Sequence, residues 1–260
     1  MLLLYESSLV LNPGFFPIKA CMHLCYMCDS AADSMEHVPP KCLFPHDSDL
    51  PLGAASLRKS LITVPSCAAH NMSKSKEDEF LLYALSLNVV NNGVALVQYL
   101  TKIQRAIKRK PALYTGIAKD GSSVIAVDGR GCAMTALRVN IDNRRLHNAF
   151  KCIAHGIYFY HYKKCFIGDV RLIHDMVTQV DQKISWYVDV GGVSIKMNEW
   201  LKTSFEKLQH FGENQDVFRY AFDESDANGI LSLRLQFYGN SNVYVSFLAH
   251  SNAEISAPSP

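Results

Sequence analysis

Cys25-Tyr26-Met27-Cys28, then Glu36-His37-Val38-Pro39-Pro40-Lys41, then Cys67-Ala68-Ala69-His70-Asn71 are the stretches on which the fold of the N-terminal part of this chain turns. Two ligand pairs at i, i+3 let each backbone turn present both side chains to one tetrahedral ion, and thiolates select zinc over magnesium. Cys25, Cys28, Cys67 and His70 together leave no open coordination position, so the Zn2+ they imply is structural and does no chemistry. In small zinc peptides such binding supplies about 10–16 kcal/mol of apparent folding free energy, enough to fix a loop-rich segment with little core of its own. Cys21 and His23 lie just upstream, and Cys21 is an alternative to one of the knuckle cysteines.

Outward from the cysteines, Pro39 and Pro40 fix φ and remove two backbone donors, so a strand carrying Glu36 and His37 ends there. Residues 42–60 read as a connecting loop, and the β-branched run Leu61-Ile62-Thr63-Val64 as a second short strand. Ser75 with Asp78 resembles a capping box, and Phe80, Leu81, Tyr83, Ala84 and Leu87 recur at helical spacing. Asp78 and Glu79 suit the positive end of that helix dipole, or else act as extra metal ligands. Lys41 and Lys74 either face phosphates or are merely solvated.

The run Cys25-x2-Cys28, Glu36-His37, Cys67-x2-His70-Asn71-x2-Lys74 resembles the HNH nuclease family over roughly residues 20–90. The resemblance implies a ββα-metal finger in which Glu36 binds a catalytic divalent ion, His37 is the general base, and Asn71 helps to ligate that ion or orient the site. The chain departs from the family pattern in three places. His70 stands where cysteine is more usual, Glu36 where aspartate is commoner, and no Asn precedes Cys67 to orient the histidine.

Phosphodiester hydrolysis asks for the same parts on chemical grounds: a base with a pKa near working pH, and a cation that stabilises charge on the phosphate and departing oxygen. His37, with a reference pKa of about 6.5, suits the first task. Glu36 and the amide oxygen of Asn71 suit the second, because Mg2+ or Mn2+ takes hard oxygen ligands. The expected substrate is DNA, with RNA as an alternative at the same site. The competing expectation is a non-catalytic zinc module that binds nucleic acid or a protein.

Leu96, Leu100, Ile103 and Ile107 mark a buried helical stripe that leaves Lys102, Arg105 and Arg109 on an exposed face, where they neutralise phosphates or only complement the helix dipole. Net charge is +2, so any nucleic-acid site is local. Further on, Leu146, Phe150, Ile153, Ile157 and Tyr160 predict a helix buried on one side, and its aromatic end Tyr158–Tyr162, followed by Lys163 and Lys164, reads as core-facing, or else as a contact that stacks bases and holds a nucleic-acid backbone. Trp200, Leu201, Phe205 and Leu208 predict another amphipathic helix. Leu231, Leu233, Leu235 and Phe237 alternate with polar residues, as do Val243, Val245 and Phe247 across a Gly239-Asn240-Ser241-Asn242 turn, which predicts a β-hairpin with one face on the helices. Cys132, Cys152 and Cys165 read as isolated core residues.

The chain's 260 residues, 48% hydrophobic, can build a real core. The fold class expected is α+β: an HNH finger with basic helix over 1–110, an α+β domain of open role over 111–250, and a disordered tail at 251–260. No segment reaches 18 uninterrupted apolar residues and Met1–Glu6 lacks the basic start of a secretion signal, so a reducing cytoplasm and no membrane partner are expected. Oligomeric state is not legible.

Overall fold

β1 (Ser34–His37) and β2 (Thr63–Ser66) pair antiparallel, with His37 opposite Thr63 and Ser34 opposite Ser66. The two prolines end β1 as expected, while β2 starts two residues later than the Leu61–Val64 run suggests. Val38 N–H donates to Ile62 O (3.0 Å) just beyond the ladder. The computed structural model describes residues 24–72, 74–112, 119, 121–127, 132–176, 197, 199–224 and 230–249. The expected tail at 251–260 and the alternative ligands Cys21 and His23 lie outside them.

Two helices follow the strands, α1 (Ala68–Met72) and α2 (Lys74–Ser86), giving the strand, strand, helix order expected. Helix α2 already includes Ser75, so this serine does not cap it and Asp78 falls beyond the first turn. The acid of the first turn is Glu77, which pairs with Arg145 at 2.9 Å. Leu81, Leu82 and Leu85 of α2 are buried.

Next come α3 (Gly93–Gln98), a π-helical turn (Tyr99–Ile103) and α4 (Gln104–Arg109) as one continuous rod. Asn92 caps it, accepting from Val94 N–H and Ala95 N–H. A π turn holds one residue more than an α turn and rotates everything after it. Ala95 and Gln98 are buried before it and Ile103 after it, whereas Leu96 and Leu100 are 54% and 59% exposed. The expected stripe through Leu96 and Leu100 is therefore wrong by about one residue. The buried Gln98 amide donates to Cys42 O (3.1 Å) and Leu43 O (2.8 Å), and this demand from a segment distant in sequence sets the register.

A hairpin of β3 (Ser122–Val127) and β4 (Ala133–Arg138) leads to the long helix α5 (Asn143–Tyr162). Cys132, at the foot of β4, is exposed and not a core residue; Cys152 and Cys165 are half-buried. Asp142 caps α5 by accepting from Arg144 and Arg145 N–H, and Lys163 closes it in the left-handed conformation, donating to Phe159 O (2.8 Å). Leu146, Phe150, Ile153 and Ile157 are all buried, as their spacing requires; Tyr160 is 39% exposed and Tyr158 and Phe159 take the core instead. Each such side chain contributes about 1.5–3 kcal/mol by leaving water.

Strands β5 (Gly168–His174), β6 (Phe218–Asp223), β7 (Leu231–Phe237) and β8 (Ser241–Ala249) form one antiparallel sheet in the order β5-β8-β7-β6. The predicted hairpin is β7–β8, with Leu235 opposite Val243 and Leu233 opposite Val245. Its apolar face lies on α5, through Phe150 against Phe237 (5.8 Å between ring centroids) and Tyr158 against Phe247 (5.1 Å). The opposite face is covered by the helical segment 199–206, where Phe205 is buried against Tyr244, while Trp200 is 67% exposed rather than part of the predicted apolar stripe. The architecture is α+β, and one apolar cluster runs from Cys25 through α2 and α5 to Phe247. Tyr238, in the turn between β7 and β8, reaches across to donate to Leu43 O at 2.5 Å.

Helix α5 comes close to the β1–β2 hairpin at Gly156, where an added Cβ would stand 2.7 and 2.8 Å from the two methyl groups of Val38. Overpacking of this kind costs about 1–3 kcal/mol. Gly156→Ala should lower the urea midpoint accordingly, and Val38→Ala in the same chain should recover part of the loss. Equal destabilisation by the single and the double variant would show that the contact is not the cause.

Candidate metal centre

The first knuckle is a tight turn in which Cys28 N–H donates to Cys25 O (3.3 Å) and Cys25 N–H to Ser30 O (2.8 Å). Tyr26 N–H donates to Pro65 O (2.9 Å) and pins this turn to β2, which delivers Cys67 directly after its last residue. His70 and Asn71 N–H both donate to Cys67 O, opening α1, and Asp33 accepts from Ala68 N–H (3.1 Å) at the same corner. The candidate ligands are thus positioned by one hairpin and the turns on either side of it.

All four ligand atoms lie within 4.8 Å of one another. His70 Nδ1 is 3.2 Å from Cys67 Sγ, 3.5 Å from Cys25 Sγ and 3.6 Å from Cys28 Sγ, and Cys28 Sγ is 3.9 Å from Cys67 Sγ. Tetrahedral zinc with its usual bond lengths asks for S···S of about 3.8 Å and S···N of about 3.5 Å. The cage therefore fits a structural ion such as zinc, with histidine binding through Nδ1. Burial pushes the Cys25 thiol up, whereas hydrogen bonding at Ser30 draws the Cys28 thiol down. Among the described residues, this is the one group of three or more His, Cys, Asp or Glu side chains close enough to share an ion.

The three residues expected to do chemistry are placed differently. Glu36 is only 6% exposed and accepts from the Tyr26 hydroxyl at 3.2 Å. Asn71 donates from its amide to Ser34 Oγ at 2.9 Å, and Ser34 Oγ in turn donates to Ser66 O. Because side chains alternate along a strand, Ser34 and Glu36 share one face of β1 and His37 takes the other. Glu36 and Asn71 are thus brought to the same side of the hairpin, and His37 is not. His37 is half-buried, and burial, with Lys41 nearby, lowers its pKa, so its imidazole is neutral at physiological pH.

Tyr26 carries no chemistry in the sequence reading, yet it organises Glu36; its place inside the knuckle, between two ligands, was the available signal. Burial raises its pKa strongly, and Asp78 is among the charges that add to this rise, which places that carboxylate in the same neighbourhood. Glu79 is exposed and accepts from Tyr83 Oη (3.0 Å), a contact within its own helix. Lys41 is exposed, and the side chain of Lys74 lies outside the described residues.

The basic helix is more engaged than its sequence suggests. Arg105 makes a bidentate pair with Asp49 (2.8 and 2.7 Å), and Lys102 Nζ donates to Cys42 O (3.0 Å). Lys108, Arg109 and Lys110 at its end are exposed. Among the described residues no helix is long and apolar enough to cross a membrane. No protein-family model, curated protein or solved structure matches this chain.

Proposed function

We propose that this protein is a metal-dependent endonuclease of HNH type that hydrolyses DNA phosphodiester bonds. What supports the reading most is the coincidence of a Cys3His cage with an antiparallel hairpin and following helix, and a neutral, solvent-reachable imidazole at the end of the first strand. His37 takes a proton from the attacking water at a ring nitrogen. Its lowered pKa keeps that nitrogen unprotonated at neutral pH, as a general base requires. Lys41 stands close enough to act on His37 electrostatically and would meet a phosphate approaching the same face.

The catalytic Mg2+ or Mn2+ of this reading belongs to Glu36 and Asn71, whose oxygens have the right hardness. When bound, such an ion supplies positive charge to the phosphate and the departing oxygen. Glu36 at 6% exposure, held by Tyr26, offers poor access to a hydrated ion, so no step is routed through it. That burial favours the second reading, in which the zinc-fixed hairpin is a non-catalytic module binding nucleic acid or a protein partner, with Glu36 as an internal strut.

Incubation with supercoiled DNA and Mg2+ or Mn2+ separates the two. Wild type should nick, and His37→Ala should lose about 10²–10⁴-fold in rate, as removal of a general base does, with its zinc content retained. Equal rates in both would remove His37 from the chemistry. Absence of cleavage on DNA and on RNA, with retention of an oligonucleotide on a gel, would establish the binding module instead.

A further inference from the structure

Strands β3 and β4 form a two-stranded sheet of their own, and none of their described side chains is buried. An isolated ladder of two strands is marginal in water and needs a cover on at least one face. Residues directly opposite each other share a face, so the register sorts the side chains. Val124, Ala126 and Ala136, all half-buried, lie on one face with Met134 and Arg138. Ser123, Ile125, Ala133, Thr135 and Leu137 lie on the other, and all five are exposed, Ile125 at 74% and Leu137 at 44%. Open strands are ordinarily guarded by charge against unwanted pairing. This face has no charged residue among those described, and Arg138, the one charge of the two strands, is on the opposite side. A polyanion would find nothing to hold here.

The relief of the face fits a second copy of itself. Ile125 stands opposite the smaller Thr135, and Leu137 opposite the smaller Ser123, so the large side chain changes strand from one pair to the next. Two such faces stacked about 10 Å apart around a two-fold axis parallel to the strands exchange strand positions and keep the level along the strand. Ile125 of each copy then sits over Thr135 of the other, and Leu137 over Ser123. Large meets small at these positions, which is how packed layers interdigitate.

We propose that this protein self-associates as an isologous dimer through the uncharged face of β3 and β4. Six residues at about 3.4 Å and two strands about 4.8 Å apart give a footprint of roughly 20 by 10 Å, well below the roughly 800 Å2 per partner of a stable complex. The dimer is therefore reversible and forms at about tens to hundreds of micromolar chain. It does not depend on the nuclease reading.

Sedimentation equilibrium of the zinc-loaded full chain from about 1 to about 500 µM tests it. Wild type should pass from the 29.1 kDa monomer to a species of twice that mass and no larger. Ile125→Asp sets an unpaired charge in the stack and should weaken association about tenfold or more. Thr135→Phe keeps the face uncharged but fills the place that receives Ile125, and should also weaken it about tenfold or more. Met134→Asp, on the opposite face, should change it by less than about twofold. All three side chains are exposed, so circular dichroism and zinc content should match wild type. A wild type still monomeric at the highest concentration overturns the proposal and leaves the face to another protein. Equal weakening by Met134→Asp and Ile125→Asp overturns the choice of face. Tighter association of Thr135→Phe would show general apolar adhesion, and assemblies beyond the dimer would show edge-to-edge strand pairing; either result overturns the two-fold stack.

Discussion

Removal of zinc by a strong chelator, or Cys67→Ser, should unfold the whole protein and not just the hairpin. Cys25 and Cys67 are 0% and 6% exposed and belong to the same apolar cluster as Leu146, Phe150 and Phe247. Without a cation, three sulfurs and an imidazole nitrogen within 4.8 Å either repel as thiolates or must bind protons in the core. The apparent stabilisation expected from the ion, about 10–16 kcal/mol, is as large as the entire stability of a typical domain, about 5–15 kcal/mol. The native protein should carry one zinc per chain. On metal removal its cooperative thermal transition should vanish, and hydrogen exchange in β7, far along the sheet, should accelerate together with that in β2. An apo protein melting within a few degrees of the holo form would sink the structural role assigned to the cage.

The second large effect concerns the covered outer face of the sheet. Glu206→Ala should destabilise by about 3 kcal/mol, because it strands the Arg234 guanidinium, 1% exposed, without its counter-charge. Arg234→Met should cost less, since the charge leaves with the side chain. Urea unfolding of the two single variants and the double decides the matter; Arg234→Met proving the worse of the two would show that packing, not charge, dominates. The same ion pair sets a pH limb. Burial pushes the Glu206 carboxyl up, but hydrogen bonds from Arg234 and Arg219 outweigh it and hold it at about 2, below its ordinary 4.5. A carboxylate whose folded pKa is depressed stabilises above its unfolded value, and that stability fades as pH falls from 4.5 towards 2. Wild type should lose stability over this interval more steeply than Glu206→Ala does.

How far these features are legible in the sequence depends on how local their causes are. The cage was readable because zinc imposes a spacing of three on each ligand pair, and α5 because a helix with one wet face writes its period into Leu146, Phe150, Ile153 and Ile157. The hairpin β7–β8 was readable from alternation. Alternation also suggested a wet polar face, and it failed there because burial of Arg234 depends on Glu206, distant in sequence. The π turn was hidden for a related reason: the pull on Gln98 comes from carbonyls of residues 42 and 43. The separation of Glu36 from His37 follows from the twofold period of any strand and was open to inference from their adjacency. Tyr26 as partner of Glu36 required knowing how the knuckle folds back on β2.

Helix α5 serves both halves at once, with Gly156 against Val38 beside the β1–β2 hairpin and Phe150 and Tyr158 against the sheet. A beam shared in this way makes the hairpin unfit for transplantation: excised at residue 110, it would expose the apolar underside that α5 normally shields. Recombination that moved the Cys3His piece into another protein would have to carry the helix along, and with it the sheet.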